Sequence, residues 1–244
     1  MTLELPLPIF SLIDNSSQKV HQQAAKIIAQ NILSGKLREM QKLPNELDLC
    51  ATLGISRTSL RESIKLLSAK GLLVSKPKLG TMILPRNNWN FFDSQLLEWI
   101  QDLDETGHFL KQFLGLRTAI EPEACALASL HATAEQRKKL SVVFQKMVIA
   151  ATNQCHDNWI EEEHQFHQQI FIATGNSFYL PFANLMSTMF KTFIIESIEG
   201  RRCYLEEHQA IYNAIMAGNA TRARIASQIL LSNQNQILKR ITTQ

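Results

Sequence analysis

The sequence contains little that would break helices or cross-link the chain. Its 244 residues include 9 glycines and 7 prolines, and its four cysteines form no CxxC pair. This composition favours an ordered, mostly helical protein with reduced thiols rather than a disulfide framework. No apolar run is long enough to span a bilayer, and the apolar N-terminus lacks the basic residues that open a signal peptide. We therefore expect a soluble, cytoplasmic protein with no membrane contact.

The signature motifs of several enzyme classes are also missing. The patterns HExxH and GxSxG and a glycine-rich phosphate loop do not occur in the chain. We therefore expect a protein that is not an enzyme. The alternative that stays open is a metal-dependent hydrolase or lyase.

Positive charge is concentrated at the N-terminal end. The first 86 residues carry 12 Lys and Arg against 6 Asp and Glu, whereas the remainder carries 13 against 16. A basic segment joined to a mildly acidic one is typical of a protein that binds nucleic acid through one domain.

The segment 43–83 has the order of a helix, a turn, a second helix and a short hairpin. Ser56 can cap the start of the second helix, and Gly71 suits a left-handed cap at its end. Strands are predicted at 72–75 and 81–84. Apolar residues at helical spacing give the second helix a core-facing stripe, formed by Leu60, Ile64 and Leu67. This order predicts a winged helix-turn-helix, whose usual partner is duplex DNA.

The polar face of that second helix and the tip of the hairpin supply the predicted DNA contacts. Thr58 and Arg61 lie on a different face from the apolar stripe, and Arg57 lies in the exposed first turn. Arginine can pair with guanine in the major groove, and hydroxyl groups can reach phosphates or bases. Lys78 and Gly80 lie at the hairpin tip, where a lysine can reach phosphate.

The letters LP.E, then LGISR.SLRE, GLL and a glycine in the wing resemble the DNA-binding domain of the GntR family of bacterial transcription regulators. The resemblance covers residues 20–85, and it implies close approach of the wing to DNA at Gly80. It also implies DNA contact by Arg57, Thr58, Ser59 and Arg61. Leu47 departs from the pattern, because several relatives carry a DNA-contacting arginine there. The alternative is a winged helix that docks only on proteins.

Helical periodicity continues beyond a polar joint at 85–90. We predict a mainly α fold with a winged helix-turn-helix domain over 1–85, a linker over 86–91, and an antiparallel helical bundle over 92–244. The predicted helices of the bundle are 92–101, 106–130, 133–153, 157–174, 178–199, 203–217 and 221–242.

Two of these helices carry a carboxylate and imidazoles on their apolar faces. Glu163 and His167 are four residues apart on one face, and His208 shares a face with apolar residues of another helix. Such groups can bind a divalent ion inside a bundle. The spacing also fits hydrogen-bonded core histidines, which is the commoner role of a buried imidazole. His164 is expected to face solvent.

Three motifs of the bundle resemble the FCD domain, the effector-binding domain of the FadR subfamily of GntR regulators. They are RTAIE at 117–121, the stretch 163–167 before GN at 175–176, and EH at 207–208. The resemblance implies a divalent metal, with zinc as the expected ion, held by Glu163, His167 and His208. The fourth ligand position of the family falls at Leu230, which cannot coordinate, so water or the effector would complete the shell.

An anionic effector needs a cation inside the bundle. The resemblance implies that Arg117 holds a carboxylate in a bidentate fork. Lys191 is the second candidate because it interrupts an otherwise apolar helix, although it fits the outer face equally well. The missing fourth histidine and the segment 85–93 further resemble members of the subfamily that respond to sugar acids such as galactonate.

Together these features predict a ligand-responsive transcription regulator. We expect a repressor of a sugar-acid operon that binds double-stranded operator DNA as a homodimer and is released by a small carboxylate. One alternative is a metal-free regulator of the same family that senses another acid or an acyl thioester. The other is a metal-dependent enzyme with a DNA-binding head.

Overall fold

The computed structural model describes residues 10, 13, 19–76, 79–103, 106–153, 155–196 and 204–241, without the side chains of 156–157, 190–196 and 235–241. The chain divides into two compact units, Met1–Glu105 and Thr106–Gln244. None of the helices within the described ranges is both long enough and apolar enough to cross a membrane.

The first unit is a winged helix-turn-helix, as the sequence predicts. Its three helices are followed by an antiparallel hairpin in which Leu73 pairs with Ile83 and Lys76 with Gly80. Helix α3 packs against α1, α2 and the hairpin. The elements are α1 (Val20–Leu33), α2 (Glu46–Leu53), α3 (Arg57–Ala69), β1 (Leu73–Lys76) and β2 (Gly80–Ile83).

Side-chain caps set the limits of the two helices that form the helix-turn-helix. The Asn45 side chain accepts a hydrogen bond from the backbone of Asp48 at the start of α2, and Gly54 ends that helix in the left-handed conformation. Ser56 accepts from the backbone N–H of Ser59, so α3 begins where the sequence predicts. Gly71 then turns the chain with a φ of 76°.

The segment after the wing is part of the first unit. It contains a short 3₁₀ helix, Arg86–Asn88, and a buried Trp89 whose indole donates to the carbonyl of Leu84. Helix α4 (Ser94–Gln101) packs against α1, although we predicted it as part of the second domain. The limits at 85 and 92 refer to domains that fold independently, and they remain predictions.

A buried ion pair ties this segment to the end of α3. The Lys70 ammonium lies 2.6 Å from Asp93 Oδ1 and 5.3 Å from the centre of the Trp99 ring. Asp93 also caps α4 by accepting from the backbone of Leu96. The chain therefore leaves the wing in a defined direction.

The second unit is a helical bundle, as predicted. Helix α5 packs against α7, α9 and α10, and α6 packs against α7 and α9. Helix α7 also packs against α8, so it has neighbours on two sides. The helices are α5 (Gly107–His131), α6 (Ala134–Thr152), α7 (His156–Ile172), α8 (Leu180–Glu196), α9 (Leu205–Met216) and α10 (Ala220–Ile241).

Candidate DNA-binding surface and ligand site

The first turn of α3 presents the predicted DNA-contacting groups to solvent. Arg57 and Thr58 are exposed, and the hydroxyl of Ser59 lies 3.0 Å from that of Ser56. Gly80 has a φ of 85° and open space around it, which would let the wing approach another molecule closely. Lys78 lies outside the described residues. The DNA contacts themselves remain predictions.

Arg61 is held by a carboxylate on the neighbouring helix. Its Nε donates to both oxygens of Glu46 at 3.3 and 3.2 Å, and its Nη2 donates to Oε2 at 3.1 Å. The hydrogen bonds and the charge of Glu46 raise the pKa of the Arg61 guanidinium. Leu47, which is 61% exposed, follows Glu46 on the same turn and offers no charge to DNA.

In the second unit, Glu163, His167 and His208 converge in the core. All three residues are buried, and one ligand atom from each lies within 4.8 Å of the others. The two imidazole Nε2 atoms are 3.3 Å apart, and His208 Nε2 is 3.4 Å from Glu163 Oε1. Helix α7 supplies the first two groups and α9 supplies the third.

An acceptor on the far side of each imidazole fixes which nitrogen faces the cluster. His208 Nδ1 lies 2.6 Å from the backbone carbonyl of Tyr204, which can only accept, so Nδ1 carries the proton. His167 Nδ1 contacts the carboxylate of Glu121, which can only accept when it is ionised, so this nitrogen also carries a proton. In the neutral form of both rings, the two Nε2 lone pairs therefore point at one another and towards Glu163.

Three facing acceptors repel one another unless a cation, either a proton or a metal ion, lies among them. In a tetrahedral zinc site with bonds of about 2.0–2.1 Å, neighbouring ligand atoms are about 3.3 Å apart. The separations of 3.3 and 3.4 Å around His208 Nε2 match that value. The residues present therefore fit a divalent metal with three protein ligands.

The remaining oxygen of Glu163 is fixed by an indole. Trp159 Nε1 donates to Glu163 Oε2 at 2.9 Å, one turn before it on α7. The Trp159 ring also packs edge-on against His208 with its centre 5.6 Å away. This leaves Oε1 as the oxygen directed at the imidazoles.

A buried ion pair stands beside the cluster. Arg117 Nε donates to Glu121 Oε2 at 2.9 Å, and both side chains are almost completely buried. Glu121 therefore contacts two neighbouring basic groups, Arg117 and His167. Arg117 Nη1 also donates to the side-chain carbonyl of Gln234 on α10 at 3.3 Å.

The charges around the cluster keep its carboxylates ionised. Burial alone would raise the pKa of Glu121, but Arg117 and His167 hold that pKa far below its usual range. Burial likewise opposes ionisation of Glu163, yet the hydrogen bond and charge of His208, together with His167 and Arg117, lower its pKa. Burial lowers the pKa of His167, although the neighbouring carboxylate of Glu121 acts to raise it.

Some site expectations lie outside the described region, and one is wrong. Leu230 is fully buried on α10, as its apolar character requires. Lys191 lies within α8, but its side chain is not described. His164 was expected to face solvent, yet it is only 1% exposed. The reason is that α6 and α8 both pack against α7, which leaves that helix little free surface.

Sequence reasoning did not find Gln234. Its amide joins Arg117 to Glu163, because Nε2 donates to Glu163 Oε1 at 3.0 Å. Gln234 lies one helical turn beyond Leu230 on α10. Because Leu230 occupies the family's fourth ligand position, a polar residue one turn away was the sequence signal that could have indicated Gln234.

A winged helix-turn-helix unit followed by a helical unit with a buried carboxylate–imidazole cluster is the architecture of a DNA-binding transcription regulator. Residues 20–83 match the family described as bacterial regulatory proteins, gntR family, and residues 112–233 match the FCD domain. The chain belongs to the GntR family, with an FCD domain of the kind found in FadR-type regulators. Proteins of this family regulate transcription and are not enzymes.

Similar proteins cover nearly the whole chain. The uncharacterized HTH-type transcriptional regulator YieP of Escherichia coli is 34% identical over 87% of this chain and 92% of its own length. The galactonate operon transcriptional repressor of the same organism is 25% identical over 88% of this chain and 95% of its own length.

Solved structures agree on the fold. Lar, which controls the expression of the Listeria monocytogenes agr system, aligns with a TM-score of 0.63 at 17% identity, over 93% of this chain and 99% of its own. A GntR protein of Streptococcus agalactiae aligns with a TM-score of 0.50 at 21% identity, over 88% and 99%.

Proposed function

We propose that this protein is a ligand-responsive repressor of an operon for sugar-acid or related carboxylate catabolism. A small hydroxy acid would enter the helical unit, bind near the carboxylate–imidazole cluster, and favour a conformation that no longer fits the operator. Such an effector acts only if it binds the two conformations with different affinities.

The observation that carries the proposal is the charge of the buried cluster. Metal binding requires ionised carboxylates and neutral imidazoles, and in that state the guanidinium of Arg117 balances only one of the two negative charges of Glu121 and Glu163 in the described core. A divalent metal would reverse that sign to a single positive charge. A carboxylate anion would then restore neutrality, which is what burial of charge requires.

Glu163, His167 and His208 would hold the metal, with zinc as the expected ion. When bound, the ion would act as a Lewis acid that attracts a carboxylate or hydroxyl oxygen to its open position. Leu230 supplies no fourth ligand, and this is consistent with an open position. Arg117 would hold the effector carboxylate as well as Glu121, because a guanidinium has five N–H donors and can bind more than one carboxylate. Lys191 is a second candidate for that role.

Operator binding would use the exposed turn of α3. Arg57, Thr58, Ser59 and Arg61 would contact bases and phosphates, with Lys78 and Gly80 at the wing tip. Two copies of the chain would read the two halves of a pseudo-palindromic operator, as is usual for helix-turn-helix proteins, so we propose a homodimer. A repressor of chromosomal genes would act in the cytoplasm.

Similar proteins support the choice of effector class. One relative is named as a galactonate operon repressor. The cluster described here fits an acid with a neighbouring hydroxyl, because the carboxylate and the hydroxyl could both reach the metal while Arg117 holds the carboxylate. A hydroxy acid is therefore the expected effector, rather than a simple fatty acid.

The test combines metal analysis with thermal unfolding. The purified protein is assayed for bound metals and then unfolded with and without EDTA in the presence of galactonate, gluconate, lactate or an acyl thioester. A ligand at 100 times its dissociation constant stabilises the folded state by about 2.7 kcal/mol. Stabilisation by a hydroxy acid that disappears with EDTA supports the proposal. Stabilisation by the acyl thioester alone, in protein without metal, contradicts it.

A further inference from the structure

Gln234 connects the two charged parts of the ligand site. Its Nε2 donates to Glu163 Oε1 at 3.0 Å, and its Oε1 accepts from Arg117 Nη1 at 3.3 Å. The direction of the amide is fixed by its partners, because a carboxylate can only accept and a guanidinium can only donate.

These contacts close a ring of polar side chains across four helices. Each member contacts the next, and the ring returns to its starting residue. Helices α5 and α7 supply two members each, while α9 and α10 supply one each. The members in order are Glu163, Gln234, Arg117, Glu121, His167 and His208.

Glu163 Oε1 is the oxygen that matters for metal binding, and two cations compete for it. One is the proposed metal ion between the imidazoles. The other is the Arg117 guanidinium, which is one hydrogen-bonded residue away and already interacts electrostatically with Glu163. A direct ion pair between Arg117 and Glu163 would turn the carboxylate away from His208.

The neutral amide of Gln234 occupies the space between these two charges. It gives the guanidinium an acceptor other than Glu163 and gives Glu163 a donor that still leaves a lone pair for a metal. Groups that orient metal ligands through hydrogen bonds contribute about 10–100-fold to metal affinity.

We propose that Gln234 is a positioning residue of the metal site, which aims Glu163 Oε1 at the two imidazoles and keeps Arg117 from pairing with it. The inference rests on the metal site described under the proposed function. Helix α10 would then contribute to the metal site through Gln234, one turn beyond Leu230, although Leu230 itself cannot be a ligand.

The test uses cobalt(II), whose visible absorption reports coordination geometry, in titrations of the full-length protein. The variant is Gln234→Leu, which keeps most of the side-chain volume but removes both hydrogen bonds. The matched control is Gln228→Leu, which makes the same chemical change at an exposed position of α10. We expect cobalt affinity to fall about 10–100-fold in Gln234→Leu, with a changed absorption spectrum, and to stay unchanged in the control.

The outcomes separate this inference from the proposed function. If the wild-type protein binds no cobalt or zinc, the proposed metal site is wrong and the inference falls with it. If the wild type binds cobalt and Gln234→Leu binds it with the same affinity and spectrum, only the role of Gln234 is wrong. Should the leucine variant fail to fold, Gln234→Met, whose flexible side chain packs more readily, replaces it with the same expected results.

Discussion

Replacement of Gly71 by alanine should destabilise the first unit far more than the same replacement at Gly35. Both glycines have a φ of 76°, so an added Cβ strains the backbone equally at the two positions. That strain costs about 1–2 kcal/mol. The surroundings differ, because a Cβ at Gly35 meets nothing within 4 Å, whereas a Cβ at Gly71 would lie 2.0 Å from the backbone oxygen of Asn88.

The clash at Gly71 involves backbone and cannot be relieved by rotating a side chain. The segment that contains Asn88 would have to move by roughly 1 Å or more, and overpacking of this kind costs about 1–3 kcal/mol. The total expected for Gly71→Ala is therefore about 2–5 kcal/mol, against about 1–2 kcal/mol for Gly35→Ala. The difference between the two variants measures how tightly the segment after the wing is held against the end of α3.

Urea unfolding followed by tryptophan fluorescence measures both values. Trp89 and Trp99 lie in the first unit and Trp159 in the second, so a Trp159→Phe background makes the signal specific to the first unit. Losses of unfolding free energy that agree within about 0.5 kcal/mol for the two variants would refute the packing described for Asn88.

Three further predictions concern DNA, pH and the buried ion pair. Arg61→Ala should weaken operator binding and, if the lost contact is to phosphate, reduce the slope of log K against log salt concentration by about 0.9. The control Arg222→Ala in the second unit should change neither quantity. Equal binding isotherms for Arg61→Ala and wild type at fixed salt would contradict the assignment. Zinc affinity should fall as the pH drops below 6.5, the ordinary pKa of histidine, because protons compete with the metal for the imidazole of His167, whose pKa is lowered by burial. A loss of affinity that begins above pH 7 would contradict the lowered pKa. Arg117→Met should lower the free energy of unfolding by about 3–5 kcal/mol, because Glu121 loses its buried partner. Urea unfolding at pH 7 measures this loss, and a value under about 1 kcal/mol would show that the pair is not buried as described.

Local signals in the sequence were enough to predict the DNA-binding unit. The cap of α3 at Ser56 and the left-handed turn at Gly71 could both be predicted, because they depend on hydrogen bonds or backbone angles within a few residues. The same holds for Glu163 and His167, whose spacing of four places them on one helical face. Features of this range need no knowledge of the tertiary fold.

Features that depend on packing between helices could not be predicted in the same way. A glutamine in α10 looks like a solvated residue, and Gln234 becomes a site residue only because α10 packs against α5. His164 is buried because α7 has helices on two sides, which a single apolar stripe does not reveal. Helix α4 reads as the start of the bundle, yet its apolar face packs on α1.

We propose that occupancy of the buried cluster decides whether the winged unit binds DNA. The direct measurement is fluorescence anisotropy of a labelled operator duplex bound to the zinc-loaded protein, titrated with hydroxy acids that include galactonate and lactate, for wild type and His208→Ala. We predict that one of these acids releases the wild-type protein from DNA and that His208→Ala binds the duplex but no longer responds. An acid that releases both proteins equally would contradict the claim, as would a wild-type complex that no acid of the series affects.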